Sequence, residues 1–176
     1  MSLRTARLMT SIFLIRDNRL LLLYRIGSSA IPNSWVGIGG HIEPDEIRDP
    51  TSAVLRELRE EVGIEPDEIS DLARRYVSLR DTGQELRSTY YFTANLRPET
   101  PAPTECTEGE LCWYDLAGPS TPSPMPSPMP SPMPPTAAVE LEHWITEGRH
   151  DDLLRMIIVS GTGSHLLPLH NSSAAM

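Results

Sequence analysis

Residues 49–63, DPTSAVLRELREEVG, constrain the fold more than any other segment. Asp49 before Pro50 is a helix start. Aspartate caps free N–H groups, and proline suits the first helical position, where no N–H is needed. Val54, Leu55, Leu58 and Val62 recur at helical spacing and make one apolar stripe. Gly63 supplies a left-handed stop. A helix bounded this way must bury its stripe, and the flanking sequence offers strands to bury it on. Residues 6–15 (ARLMTSIFLI) read as a strand, Asp17-Asn18 as a tight turn, and RLLLLYR as a second strand. The unbroken leucines imply a strand covered on both faces. Residues 74–80, then DTGQ, then ELRSTYYFTANL read as a long hairpin, and LCWY at 111–114 as a further strand. Strands on both sides of one strong helix predict an α+β fold, with a mixed sheet packed against helices.

A chain of 176 residues suits one domain, expected over residues 1–160. Prolines concentrate at 119–135, PSTPSPMPSPMPSPMPP, where the unit SPMP occurs three times in tandem. Such a tract cannot build a helix or a central strand, so an extended loop interrupting the domain is expected. A ligand for a proline-recognising domain is the alternative. After it, Ala138, Leu141, Trp144 and Ile145 suit a second helix packed back on the core. Residues 161–176 are expected to be a flexible C-terminal tail.

The formal net charge of −9 gives no field for holding nucleic acid, and no run of Lys and Arg supplies a local one. Cys106 and Cys112 lack the spacing and partners of a zinc site and read as free thiols. No stretch reaches the roughly 18 apolar residues that a membrane span needs. The N-terminal apolar run ends at Asp17 without a signal-peptide pattern, so a cytoplasmic location is expected.

The helix also carries Glu57, Glu60 and Glu61 on an arc of about 100°, away from the centre of the apolar stripe. Three carboxylates so close repel one another, by a few tenths of a kcal/mol for an exposed i,i+4 pair and by more when crowded. A solvated acidic face with Arg56 and Arg59 as partners is one reading. A divalent cation is the other, since carboxylate oxygens are the normal ligands of Mg²⁺.

The surrounding residues favour the second. Gly40, Glu46 and the run Arg56-Glu57-Leu58-Arg59-Glu60-Glu61-Val62-Gly63-Ile64 resemble the signature of the Nudix hydrolase family, MutT-like and of the small bacterial type. That signature is a glycine, five residues, a glutamate, seven residues, then Arg-Glu-apolar-any-Glu-Glu-any-Gly-apolar. This chain places nine residues between Glu46 and Arg56, and the two extra ones are assigned to IRDP, ahead of the helix. NSWVGIGGHIEPDE resembles the family's lead-in, with Ile38 where proline is common. The likeness spans roughly residues 5–160 and implies an α/β/α sandwich with a mixed central sheet.

The resemblance also implies roles. Glu60 and Glu61 would ligate metal, Glu57 would share in binding metal or orienting the attacking water, and the Gly39 carbonyl would add a ligand. Arg56 would hold the glutamates in place, and Glu46 would organise the loop. A later glutamate often adds a ligand or the base. TECTEGE offers Glu105, Glu108 and Glu110, and Glu108 is preferred because it precedes a glycine. Whether Glu57 or Glu108 is the base stays open.

The implied reaction is Mg²⁺-dependent hydrolysis of a pyrophosphate bond, with Mn²⁺ able to substitute, in a nucleoside diphosphate linked to another moiety. A nucleoside triphosphate, ADP-ribose or a nucleotide sugar would qualify. The alternative is a nucleotide-binding or sensing module of the same fold with little turnover. Partners are expected to be small nucleotides and neither membrane nor nucleic acid, with a homodimer left open. Substrate choice is expected in residues 24–35, 74–95 and 101–110. There Arg25, Arg80, Arg87, Trp35 and Tyr90 could touch substrate or serve only as packing and solvated surface. His41 could meet a phosphate or simply satisfy its loop.

Overall fold

The computed structural model describes residues 5–27, 32–116, 131–161 and 163–169. The first two strands, β1 (Thr5–Arg16) and β2 (Arg19–Arg25), are joined by Asp17 and Asn18, at φ 51° and 56°. Two successive left-handed residues match the strands' own twist, and Asp and Asn tolerate that region best after glycine. The third strand, β3 (Ser34–Val36), precedes the helix α1 (Pro50–Val62). Next come the long strands β4 (Ile69–Asp81) and β5 (Glu85–Leu96), then β6 (Gly109–Asp115), the helix α2 (Pro135–Thr146), and β7 (Arg155–Ser160) with β8 (Gly163–Pro168).

The main sheet runs β3-β2-β1-β5-β4-β7-β8, with β6 on the other edge of β2. The pairs β1–β5 and β4–β7 are parallel, and the other strand pairs are antiparallel. The sheet is therefore mixed. Its two faces carry two cores. Ile12, Leu14, Leu21, Phe92 and Ala94 pack with Val54 and Leu58 of α1. Phe13, Leu20, Leu22, Tyr76 and Tyr91 pack with Ala137, Leu141, Trp144 and Ile145 of α2. Successive residues of β1 and β2 alternate between these cores, because strand side chains alternate with a period of two. This is why RLLLLYR has no polar face, and the result is the expected α/β/α sandwich.

Helix α1 begins and ends where its caps require. One Asp49 carboxylate oxygen accepts from Thr51 N at 3.1 Å and Ser52 N at 3.3 Å, and Gly63 closes the helix at φ 70°. Four differences from the sequence expectations have physical causes. Strand β4 starts at Ile69 and not at 74, with register shifts between Ser70 and Ala73 and between Arg74 and Tyr76, irregularities that break the period-two alternation at its start. The buried face of α2 uses Ala137 and Glu140 in place of Ala138. The expected tail begins instead with β8, whose backbone pairs with β7 from Ser160–Gly163 to Arg155–Pro168. The expected loop at 119–135 ends sooner, because Pro135 already belongs to α2. Its last SPMP unit, residues 131–134, also lies against the fold: Trp35 N donates to Pro132 O at 2.9 Å, and Met133 packs on the second core. The first two SPMP units lie outside the described residues. No helix among the described residues is long and apolar enough to cross a membrane.

Candidate active site

The segment after β3 runs antiparallel along β1. Ile12 and Ile38 exchange both backbone hydrogen bonds, at 2.7 and 3.0 Å, and Thr10 N donates to Gly40 O at 2.9 Å. Such close approach leaves no room for side chains on its glycines. A Cβ on Gly39 would come within 2.4 Å of Thr10 O, and φ there is +145°. A Cβ on Gly40 would meet the Glu57 carboxylate at 2.6–2.7 Å. Ile38, where the family often has proline, is fully buried in the first core. Its side chain anchors the glycine segment to the sheet.

Arg56 organises the glutamates. Its Nε and Nη2 donate to the two oxygens of Glu46, both at 2.9 Å. Its Nη1 donates to Glu57 at 2.9 Å and to Glu60 at 3.0 Å, and Nη2 also reaches the His41 carbonyl at 3.0 Å. All five guanidinium N–H groups are used, which only a planar fork can do. The Glu46 pair strengthens the proton's hold on Arg56 and keeps the Glu46 carboxyl below the usual carboxylate range. Glu46 also accepts from Glu43 N at 3.0 Å. The two extra residues of the box, within a turn that includes Ile47 and Arg48, therefore leave Glu46 in contact with Arg56.

Glu61 lies at the inner end, with only 4% of its side chain exposed. One oxygen accepts from Gly39 N at 3.3 Å, and the other, Oε1, is buried without a hydrogen-bond donor. Burial pushes its carboxyl up to about 7, against the pull of Arg25 and the Gly39 N–H. Glu60, by contrast, is 55% exposed.

Arg25, at the end of β2, joins the later loop to this cluster. It donates to Gly39 O at 3.2 Å, lies 3.9 Å from Glu61 Oε1 and forms an ion pair with Glu108. Glu108 is placed by its neighbour: Gly109 pairs with Arg25 across β6–β2, so closely that a Cβ there would strike Tyr24 O. The structure thus draws Glu57, Glu60, Glu61, Gly39, Arg56 and Glu108 to one end of the sheet. From the sequence alone Arg25 is equally a surface arginine. The signal was its position at the strand end beside the glycines. His41 receives a contact from Arg7 at 2.9 Å through Nε2, in keeping with a loop-satisfying role. Trp35 packs against Tyr24 with ring centroids 5.0 Å apart, and Tyr90 packs on the first core under Arg74. Cys106 and Cys112 are free thiols.

A cleft of about 80 Å³ opens beside this cluster. Arg25, Gly37 and Gly39 form one wall, Ser78 and Arg80 of β4 with Arg87, Thr89 and Tyr91 of β5 form the floor, and Pro134, Thr136 and Ala137 close it from the α2 side.

The donors fit a hard divalent cation in kind. They are carboxylates and a carbonyl, and Glu61 Oε1 is a buried acceptor with no donor. Among the described residues they do not close into a cage of three around one point. The guanidiniums of Arg25 and Arg56 stand between them instead.

Comparison with known proteins bears on the fold and the family. The family described as the NUDIX domain matches residues 5–134, most of the chain. A search of curated proteins gave no match. Among solved structures, a MutT protein from Bacillus halodurans is similar over 91% of this chain and 97% of its own, at 20% identity and a TM-score of 0.57. A Nudix hydrolase from Nitrosomonas europaea is similar over 90% of this chain and 82% of its own, at 15% identity and a TM-score of 0.58. A bifunctional NMN adenylyltransferase/ADP ribose pyrophosphatase from Francisella tularensis shares the fold over 66% of this chain and 35% of its own, at 18% identity and a TM-score of 0.52. At these identities the structural likenesses speak for the fold, while the domain match, which covers the Arg56-centred box, speaks for the family: the chain belongs to the Nudix family.

Proposed function

We propose that the protein hydrolyses, with Mg²⁺, a pyrophosphate bond in a nucleoside diphosphate linked to another moiety. The observation that carries this reading is Arg56, whose five donors fix Glu46, Glu57, Glu60 and the His41 carbonyl in one network. Without a task for the carboxylates, a buried, donorless Glu61 oxygen next to two further glutamates is only a cost.

The residues that would hold Mg²⁺ are Gly39 through its carbonyl, Glu57, Glu60, Glu61 and Glu108. Bound there, Mg²⁺ supplies neutralisation of the phosphoryl oxygens and a more acidic water. The remaining work falls to the chain. Arg56 keeps Glu57 and Glu60 on one side of the helix, facing the glycine segment. A carboxylate of Glu57 or Glu108 accepts the proton of the attacking water. Gly39 and Gly40, with no side chains, let a diphosphate approach the backbone. Arg25, already on Gly39 O and Glu108, would release these partners to the substrate phosphates, which accept from a guanidinium fork better than a carbonyl does.

The test is turnover on a panel of nucleoside triphosphates, ADP-ribose and nucleotide sugars, with Mg²⁺ and with chelator. Hydrolysis of at least one compound that stops in chelator is expected. Nucleotide binding with no hydrolysis of any compound would replace this reading with a sensing module.

A further inference from the structure

Arg80 of β4 and Arg87 of β5 are directly opposed on the antiparallel ladder. Like charges in that relation weaken a sheet. Arg7 of β1 shares the same rung, beside Arg87 on the parallel side. Glu85 pairs with both Arg7 and Arg87. Arg80 is half-buried and has no hydrogen-bond or ion-pair partner among the described residues.

The rungs that lead inward from this pair are polar and ordered. Next come Ser78 and Thr89, then Tyr76 and Tyr91. Tyr91 donates to Thr136 Oγ1 at 2.9 Å, and Thr89 N donates to Ser78 Oγ at 3.2 Å. Arg80, Arg87, Ser78 and Thr89 all line the cleft that Arg25 and Gly39 bound on the other side. A substrate diphosphate at the glycine wall would therefore have a second cationic group across the cleft.

We propose that Arg80 and Arg87 form an anion subsite for a phosphate other than the two being separated. It follows that the preferred substrate is a nucleoside diphosphate derivative with one more phosphate beyond the scissile bond. That phosphate is either an ester on the distal moiety or a further member of the chain. A neutral sugar in this place would leave Arg80 facing Arg87 with no counter-charge of its own. A phosphate accepts from both forks at once and turns the repulsion into attraction. This inference rests on the pyrophosphohydrolase reading and narrows it.

The test compares matched compounds: ADP-ribose against ADP-ribose phosphorylated on its distal ribose, and adenosine triphosphate against adenosine tetraphosphate. The first pair reads an ester and the second a longer chain. Wild-type enzyme should favour the phosphorylated member of at least one pair by about tenfold or more in kcat/KM, mostly through KM. In Arg80→Gln and Arg87→Gln that ratio should fall to within about twofold of unity. Arg80→Lys, which keeps the charge and loses the fork, should fall between. Arg74→Gln should keep the wild-type ratio, because Arg74 lies over Tyr90 on the opposite face of the sheet. Thermal melts of Arg80→Gln should show no loss of stability, since it relieves a like-charge pair.

A wild-type ratio below about two for both pairs overturns the subsite while leaving the hydrolase reading intact. So does a ratio that survives Arg80→Gln. If no compound turns over, the hydrolase reading fails. The subsite is then judged by calorimetric titration of the same pairs, where a tenfold affinity ratio lost in Arg80→Gln supports it and equal affinities overturn it.

Discussion

Glu140 gives a sharp test of the packing. It lies on the buried face of α2 with Ala137, Leu141 and Trp144, is fully buried, and neither carboxyl oxygen has a hydrogen-bond partner among the described residues. The hydroxyls of Tyr91 and Tyr76, both close enough to feel its charge, are engaged elsewhere, that of Tyr91 with Thr136 and that of Tyr76 with His143 at 2.7 Å. Burial alone pushes the Glu140 carboxyl well above the usual carboxylate range, so the folded protein holds it neutral. A buried polar group without a partner costs about 1–3 kcal/mol. Leucine has nearly the same size and suits the surrounding core. Glu140→Leu should therefore raise stability by about 1–3 kcal/mol even where the acid is neutral in both states, and a gain of 1 kcal/mol corresponds to roughly 2–4 °C in Tm for a domain of this size.

The pH dependence adds a second, independent reading. The folded state keeps a proton that the unfolded state gives up above about pH 4.3. Wild-type stability from this group is thus fully present below that pH. It is lost as pH rises toward the raised folded value, at up to about 1.4 kcal/mol per pH unit. Glu61, pushed up to about 7, acts in the same direction. Glu46 and Asp151, held low by Arg56 and Arg155, act in the opposite sense, their stability being lost as pH falls. Subtracting variant from wild type isolates Glu140 from all three. Urea melts at pH 5, 6, 7 and 8 on wild type, Glu140→Leu and Glu140→Gln measure it. The advantage of both variants over wild type should grow with pH, and leucine should exceed glutamine throughout. A difference that stays flat from pH 5 to 8 would refute the neutral, unpartnered acid and show that Glu140 has found a charge or donor.

The site yields four further expectations. Gly39→Ala puts a Cβ against the Thr10 carbonyl at a left-handed φ, and it should destabilise by at least about 1–3 kcal/mol in chemical melts. Gly40→Ala sets its Cβ against the Glu57 carboxylate and not against backbone, so it should cost less stability than Gly39→Ala yet lose activity by moving that carboxylate away from Arg56; the converse pattern would misplace Glu57. Glu60→Gln and Glu61→Gln should each cut kcat/KM by a factor on the order of 10²–10³, above the 10–100-fold typical of groups that only orient metal ligands, with near-wild-type melting curves. Near-normal rates for both at limiting Mg²⁺ would remove the metal-site assignment. Deleting residues 119–130 should leave activity nearly intact, whereas deleting 119–134 should lower it, because Pro132 O holds Trp35 N and Pro134 lines the cleft. Equal effects of the two deletions would contradict the seat of the last SPMP unit.

What the sequence made legible was local. Helix α1 carries its own start, stripe and stop within fifteen residues, and the Asp17-Asn18 turn needs no distant partner, so both could be read directly. The box was readable for the same reason: Arg56, Glu57, Glu60 and Glu61 are neighbours on one helix, and the Arg56–Glu60 contact follows from i,i+4 spacing. Features that depend on contacts between distant segments were harder. Strand β8 has little burial of its own and exists through its backbone ladder to β7. Whether Ala137 or Ala138 faces inward depends on how α2 seats on the sheet, which its own sequence does not carry. The cleft floor is the clearest case. Arg80 and Arg87 are seven residues apart, on opposite sides of a turn, and sequence alone left both as plausible solvated surface. Only the β4–β5 register makes them face each other, and only the β1–β5 register adds Arg7 beside them. In this protein the carboxylates proposed to hold metal lie along one helix, while the proposed phosphate subsite lies across strands, in a register that periodicity by itself does not fix.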